Sequence, residues 1–128
     1  MKTILVDAWQ TLITAKGINR ELYEMLESFP NPKIVVTNAN AEEQEQFGIN
    51  LQPYPVFTCS HNPDKSETGY FKNLMRQNNF SISDLLYFEH SELAVVSAQS
   101  LGIKTFWYDT EKNDVEWVRQ FLLSNLDI

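Results

Sequence analysis

Apolar and polar positions follow two rhythms along this chain. Short, nearly unbroken apolar runs are each bounded by turn-forming residues: TILVD (Thr3–Asp7), KIVVTN (Lys33–Asn38), PVFTC (Pro55–Cys59), LLYFE (Leu85–Glu89) and KTFWYD (Lys104–Asp109). Their β-branched and aromatic content, without polar alternation, predicts strands covered on both faces, as in a parallel sheet. Between them, apolar residues recur at three- and four-residue spacing. Ile18, Leu22, Met25, Leu26 and Phe29 predict a helix that follows the first strand directly and ends before Pro30 and Pro32. A shorter, polar helix is predicted over Ala41–Phe47, closed by Gly48, and another over Glu67–Gln77 with Tyr70, Phe71, Leu74 and Met75 on one face. Ser91 can cap a helix through Leu101 that Gly102 closes. Asn113 or Asp114 can start a last helix using Val115, Val118, Phe121 and Leu122.

Strands alternating with helices through right-handed crossovers build a doubly wound α/β sheet, here a three-layer α/β/α sandwich of five mainly parallel strands in one domain over residues 1–128. Ligand sites of such sheets lie at the carboxyl ends of the strands, near a topological switch point. The residues leaving the strands are Asp7, Thr37 and Asn38, Cys59 and Ser60, Glu89 and His90, and Asp109. Irregular loops of any size follow only Asp7 and Cys59, and no repeat, linker or low-complexity tract interrupts the pattern.

Composition narrows the function classes. A chain of 128 residues, 43% hydrophobic, supports one core and is short for two domains. Seventeen acids against ten bases, a net charge of −7, argue against a nucleic-acid partner, whose phosphates demand Lys and Arg. The apolar run before Asp7 is shorter than a signal-peptide core and no segment reaches membrane-spanning length, so the expectation is a cytosolic protein with no membrane partner. The single cysteine, Cys59, excludes an internal disulfide and reads as a small buried strand residue beside Val56 and Phe57.

An acid at the end of a buried strand can be a nucleophile, a magnesium ligand or a loop-capping group. Asp7 stands out by its company: Thr37 and Asn38 at the next strand end, and Lys65 opening a helix. Phosphoryl transfer needs such a set, with donors and a cation aimed at the equatorial oxygens of the transferred group.

These residues resemble the haloacid dehalogenase-like (HAD) hydrolases. DAWQTL (Asp7–Leu12) is similar to that family's first motif, Asp-x-Asp-Gly-Thr-Leu; VVTNAN supplies the Thr37 and Asn38 of the second; and Lys65 of KSETGYF matches the lysine of the third, with Phe71 on an aromatic often found in that helix. The order of elements resembles the family from Met1 to about Asp109. The resemblance implies Asp7 as nucleophile, Lys65 as its charge partner, Thr37 and Asn38 holding a phosphoryl oxygen, and a small anionic substrate. Trp9 stands where the family's phosphatases carry the acid that protonates the leaving alcohol, and an indole cannot do so. Dehalogenases of the family tolerate an aromatic there, because halide leaves without a proton. Gln10 replaces the usual glycine, a strained choice if the backbone needs positive φ.

Only TAKGI separates the first motif from its helix, which implies a capless member, with little to enclose a halo-acid. The fourth motif, usually Gly-Asp-x-x-x-Asp, reads EHSELA, with His90 and Ala94 at the positions of the two acids. Magnesium prefers oxygen ligands, so Mg²⁺ is a doubtful cofactor, held at most by Asp7 and Glu89. Glu92 reads as a first-turn acid favoured by the helix dipole, and His90 and His61 as loop histidines. Trp9 is either packing beside the strand end or a substrate contact. The expectation is a HAD-like hydrolase with weak or lost phosphatase activity. The alternatives are an active hydrolase on activated phosphates or a haloacid-type substrate, and a non-catalytic module that binds an anion or a protein partner.

Overall fold

All five residues of Thr3–Asp7 are buried, and this strand is the centre of the computed structural model, which describes residues 1–126. In chain order the elements are β1 (Thr3–Asp7), β2 (Ile13–Thr14), β3 (Gly17–Ile18), α1 (Arg20–Glu27), β4 (Lys33–Thr37), α2 (Ala41–Gln46), β5 (Val56–Thr58), α3 (Thr68–Asn78), β6 (Leu85–Glu89), α4 (Glu92–Ser100), β7 (Lys104–Trp107) and α5 (Val115–Asn125). The five long runs form one sheet in the order β5-β4-β1-β6-β7, every neighbouring pair parallel.

The unbroken apolar character of the strands follows from helices on both faces. Ile4 and Val6 of β1 pack with Leu86 and Phe88 of β6 against Leu22 and Leu26 of α1 and Val118 and Leu122 of α5. Leu5 turns the other way, with Val36 and Tyr87, against Phe71 and Leu74 of α3 and Ala98 of α4. Each fully buried Leu or Val in these layers stabilises the fold by about 1.5–3 kcal/mol relative to exposure. The three-layer α/β/α sandwich is thus present, and no cap domain interrupts it among the described residues.

The first helix does not follow β1 directly. A two-stranded antiparallel hairpin, β2–β3, intervenes, pairing Ile13 with Ile18 and Thr14 with Gly17. Gly17, at φ +102°, allows the tight reversal, and Ile18 belongs to the hairpin rather than to α1. Asn19 then caps α1, its Oδ1 accepting from the Leu22 amide at 3.3 Å. Ser91 occupies the capping position of α4, but its side chain makes no capping bond there. Gly48 at φ +77° closes the short α2 as its position predicts.

The chain reverses after Asp7 through a tight turn. Gln10 adopts φ +73°, where glycine is the usual occupant, while its amide donates to the Ile13 carbonyl at 2.7 Å. A left-handed conformation costs a side-chain-bearing residue about 1–2 kcal/mol, partly offset here by glycine's larger unfolded-state entropy. Gln10→Gly is therefore expected to raise unfolding free energy by up to about 1 kcal/mol in urea titration. A clear loss of stability would mean that the exposed Gln10 side chain itself holds the turn.

Candidate functional site

From β1 the chain steps to β4 and β5 on one side, then returns to β6 and β7 on the other. The switch point therefore lies between the carboxyl ends of β1 and β6, which carry Asp7 and Glu89. Both side chains project into the layer beneath α3 and α4, and the loop before α3 brings Lys65 to them. Its Nζ donates to Asp7 Oδ1 at 2.7 Å and to Glu89 Oε1 at 2.6 Å, with Lys65 only 7% exposed. Burial of an ammonium is tolerable because two carboxylates meet it. Asn38 positions this loop: its Oδ1 accepts from the Lys65 backbone amide at 2.7 Å.

The second Asp7 oxygen is equally engaged. Oδ2 accepts from the Thr11 hydroxyl at 2.7 Å and forms a short contact with His90 Nδ1, with the His90 backbone amide 3.4 Å away. Glu89 Oε1 also accepts from the Tyr87 hydroxyl, and Oε2 from the Ser91 amide at 3.1 Å. Trp107 anchors the histidine segment by donating from Nε1 to the His90 carbonyl at 2.8 Å.

Electrostatics separate the two acids. Burial alone would raise both. At Asp7 the Lys65 ammonium and the His90 bond outweigh burial and hold the carboxyl well below its ordinary range, so it is ionised at neutral pH. At Glu89 burial, reinforced by the Asp7 charge, outweighs Lys65 and pushes the carboxyl up to about 7. The Asp7 bond, working against partial burial, raises His90 above its ordinary value. Lys65 is also raised: its two carboxylate partners outweigh the burial that would lower it.

A cleft of about 240 Å³ opens over this cluster, lined among others by Trp9, Thr37, Asn38, Phe47, Lys65 and His90. Thr37 is buried at its floor, and its Oγ1 accepts from the Ala39 amide at 3.1 Å. The Tyr70 hydroxyl holds this strand end, accepting from the Thr37 amide at 3.0 Å and lying 2.9 Å from the Thr37 and Phe57 carbonyls. Trp9 packs against Phe47, their ring centroids 4.9 Å apart. His61 sits at the rim with Nε2 2.6 Å from Glu43 Oε1, and Ala94 lines the cleft where a second acid is expected. Cys59, part-buried, has Asn73 Nδ2 at 3.8 Å and does not line the cleft.

The sequence places His90 at a strand end but reads it as a loop histidine rather than a ligand; the structure seats its Nδ1 on Asp7 Oδ2. Thr11 and Tyr87 were also missed. Thr11 lies four residues after Asp7 within the first motif, and Tyr87 shares the Glu89 face of β6 by strand alternation, so both carried a signal.

Asp7, Glu89 and His90 each offer one ligand atom, all within 4.8 Å of one another, a grouping that could hold a cation. It fits magnesium poorly. One donor is an imidazole nitrogen, and all four carboxylate oxygens already accept from Lys65, Thr11, His90, Tyr87 or Ser91.

The raised Glu89 fixes the sign of a pH effect. Between its ordinary value of 4.5 and about 7 the folded state binds more protons than the unfolded chain, so stability falls as pH rises through that window. The slope is at most about 1.4 kcal/mol per pH unit for one group. Asp7 acts oppositely, its contribution being lost as pH falls below the ordinary carboxylate range, and His90 adds a further decline as pH rises above its own ordinary value of 6.5. Urea titrations across pH should show Glu89→Gln abolishing the decline below neutrality. A parent profile flat from pH 5 to 7 would mean that Glu89 stays ionised throughout.

No protein-family model and no curated protein matches this sequence. Solved structures do. An uncharacterized protein from Corynebacterium glutamicum aligns over 100% of this chain and 98% of its own, at 15% identity and a TM-score of 0.63. An aspartate-to-alanine mutant of a HAD family enzyme from Bacteroides thetaiotaomicron, in complex with magnesium and inorganic phosphate, aligns over 86% of this chain and 95% of its own, at 13% identity and a TM-score of 0.63. With the parallel sheet, the helices on both faces and the absence of a cap among the described residues, the chain has the haloacid dehalogenase-like fold.

Proposed function

We propose that this protein is a phosphoryl-accepting site of haloacid dehalogenase-like hydrolase ancestry that has kept its nucleophile and lost its proton donor, so that turnover of ordinary phosphate monoesters is weak or lost. One observation carries this reading: an ionised Asp7 paired to Lys65 at the switch point, with the indole of Trp9 two residues on. The phosphate complex of the Bacteroides enzyme supports the same class of ligand.

An Asp7 oxygen attacks phosphorus, the bond to the leaving oxygen breaks, and its electron pair departs with the leaving group. Lys65 and a protonated His90 balance charge at the carboxylate, and the Thr37 hydroxyl can donate to a phosphoryl oxygen. Water then attacks phosphorus, loses a proton, and releases inorganic phosphate from Asp7. Trp9 itself helps neither half-reaction, because an acid that protonates the leaving alcohol serves in reverse as the base for water. Each loss costs a factor of about 10² to 10⁴ in rate. Only groups that leave as stable anions escape the first. Haloacid chemistry is less favoured, since no arginine lines the cleft among the described residues to hold the substrate carboxylate.

The complete engagement of both Asp7 oxygens supports a second reading, a non-catalytic site that binds an anion or partner. One experiment separates them. With 4-nitrophenyl phosphate the parent should release up to one equivalent of nitrophenolate rapidly, then turn over slowly, and intact-mass spectrometry should detect a phosphorylated chain. Chelation of divalent cations should leave the burst unchanged, and Asp7→Asn should abolish it. Release independent of Asp7 would retire the nucleophile and leave the binding module.

A further inference from the structure

We propose that Trp9 and Phe47 form an aryl subsite, so that the cleft selects phosphates whose leaving group is a flat aromatic ring. The inference rests on the phosphoryl reading of Asp7 and Lys65 and names the substrate class of that site.

Three observations converge on it. First, the two rings line the same cleft as Asp7 and Lys65, with centroids 4.9 Å apart and planes tilted by 46°. This leaves an angled aromatic wall rather than a closed stack; Phe47 is 37% exposed and fully buried Ile49 closes the apolar side. A ligand ring can meet such a wall edge-to-face or offset, the arrangements aromatic quadrupoles prefer.

Second, the wall is held in place. Trp9 pairs through its backbone with Ile13, and Ile13 pairs with Ile18 in the β2–β3 hairpin. Phe47 is fixed as the closing residue of α2, its amide donating to the Glu43 carbonyl at 2.9 Å. A preformed wall spares a ligand the entropy of ordering it.

Third, the rest of the rim disfavours other leaving groups. Glu43, bonded to His61, faces the cleft with a carboxyl held below its ordinary range, which repels a second anionic group on the substrate. The chemistry already requires a leaving group that departs without a proton, and a phenolate does so where an alkoxide cannot. Among the groups that meet this demand, a halide and a small acyl group leave the aromatic wall unused.

Binding separates the subsite from catalysis. Phenylphosphonate and methylphosphonate carry the same anion and cannot be turned over. Isothermal titration should give phenylphosphonate an affinity about tenfold higher in the parent, the scale of one aromatic contact. The preference should fall to nearly none in Phe47→Ala and in Trp9→Leu, with methylphosphonate affinity unchanged in Phe47→Ala. Circular dichroism checks that each variant is folded. Equal affinities in the parent, or a preference that survives both substitutions, would overturn the subsite and leave the phosphoryl reading standing. Failure of both phosphonates to bind would overturn the phosphoryl reading, and the subsite with it.

Discussion

A single ammonium holds two buried carboxylates together at the end of the central strand. Neither Asp7 nor Glu89 can shed its solvation cheaply, and their mutual repulsion would oppose placing β1 beside β6 with both acids pointing the same way. Lys65 resolves both problems at once by donating to each. Removing one partner of a buried ion pair typically costs about 3–5 kcal/mol, because the remaining charge is stranded. The loop from β5 to α3 is therefore part of the sheet's electrostatics as well as a connection. Asn38 fixes its backbone from β4, and Tyr70 on α3 ties the ends of β4 and β5. Packing and charge satisfaction thus use the same three elements.

The pair of acids faces Lys65 on one side and His90 on the other, and the shifts run as that pairing demands: Asp7 down, His90 up, Glu89 left close to half-protonated at neutrality. At the end of β6, where the resemblance to the hydrolases leads one to expect an acid, His90 is a side chain that can itself carry positive charge. Ala94, in the first turn of α4, adds no charge to the cleft.

Much of the fold was legible because strands buried on both faces announce themselves as unbroken apolar runs, and Leu85–Glu89 and Thr3–Asp7 were bounded to the residue. The hairpin was not. With two residues per strand it has no periodicity to detect, and Ile18 falls at helical spacing from Leu22, so the pattern absorbed it into α1. In the site, the side chains at strand ends, Asp7, Thr37 and Glu89, could be located from topology alone. Lys65 depended on its register with Phe71 across a loop. His90 could be placed at a strand end, but not its contact with Asp7, which depends on how β1 and β6 lie side by side in the assembled sheet.

Trp9 shows how one side chain links fold to chemistry. At a position where a carboxylate would lie beside Asp7 and add a third negative charge to the cluster, an indole adds none and packs on Phe47. The turn that presents it carries a strained Gln10, and the hairpin beyond pins it through Ile13. The local structure is thus built around the ring, which presents van der Waals surface and no carboxyl at the mouth of the site. On the proposed phosphoryl chemistry, such a cleft loses rate on poor leaving groups and gains contact area for apolar ones. On that reading recognition and reactivity favour the same substrates, because an aromatic leaving group both fills the proposed wall and departs without a proton.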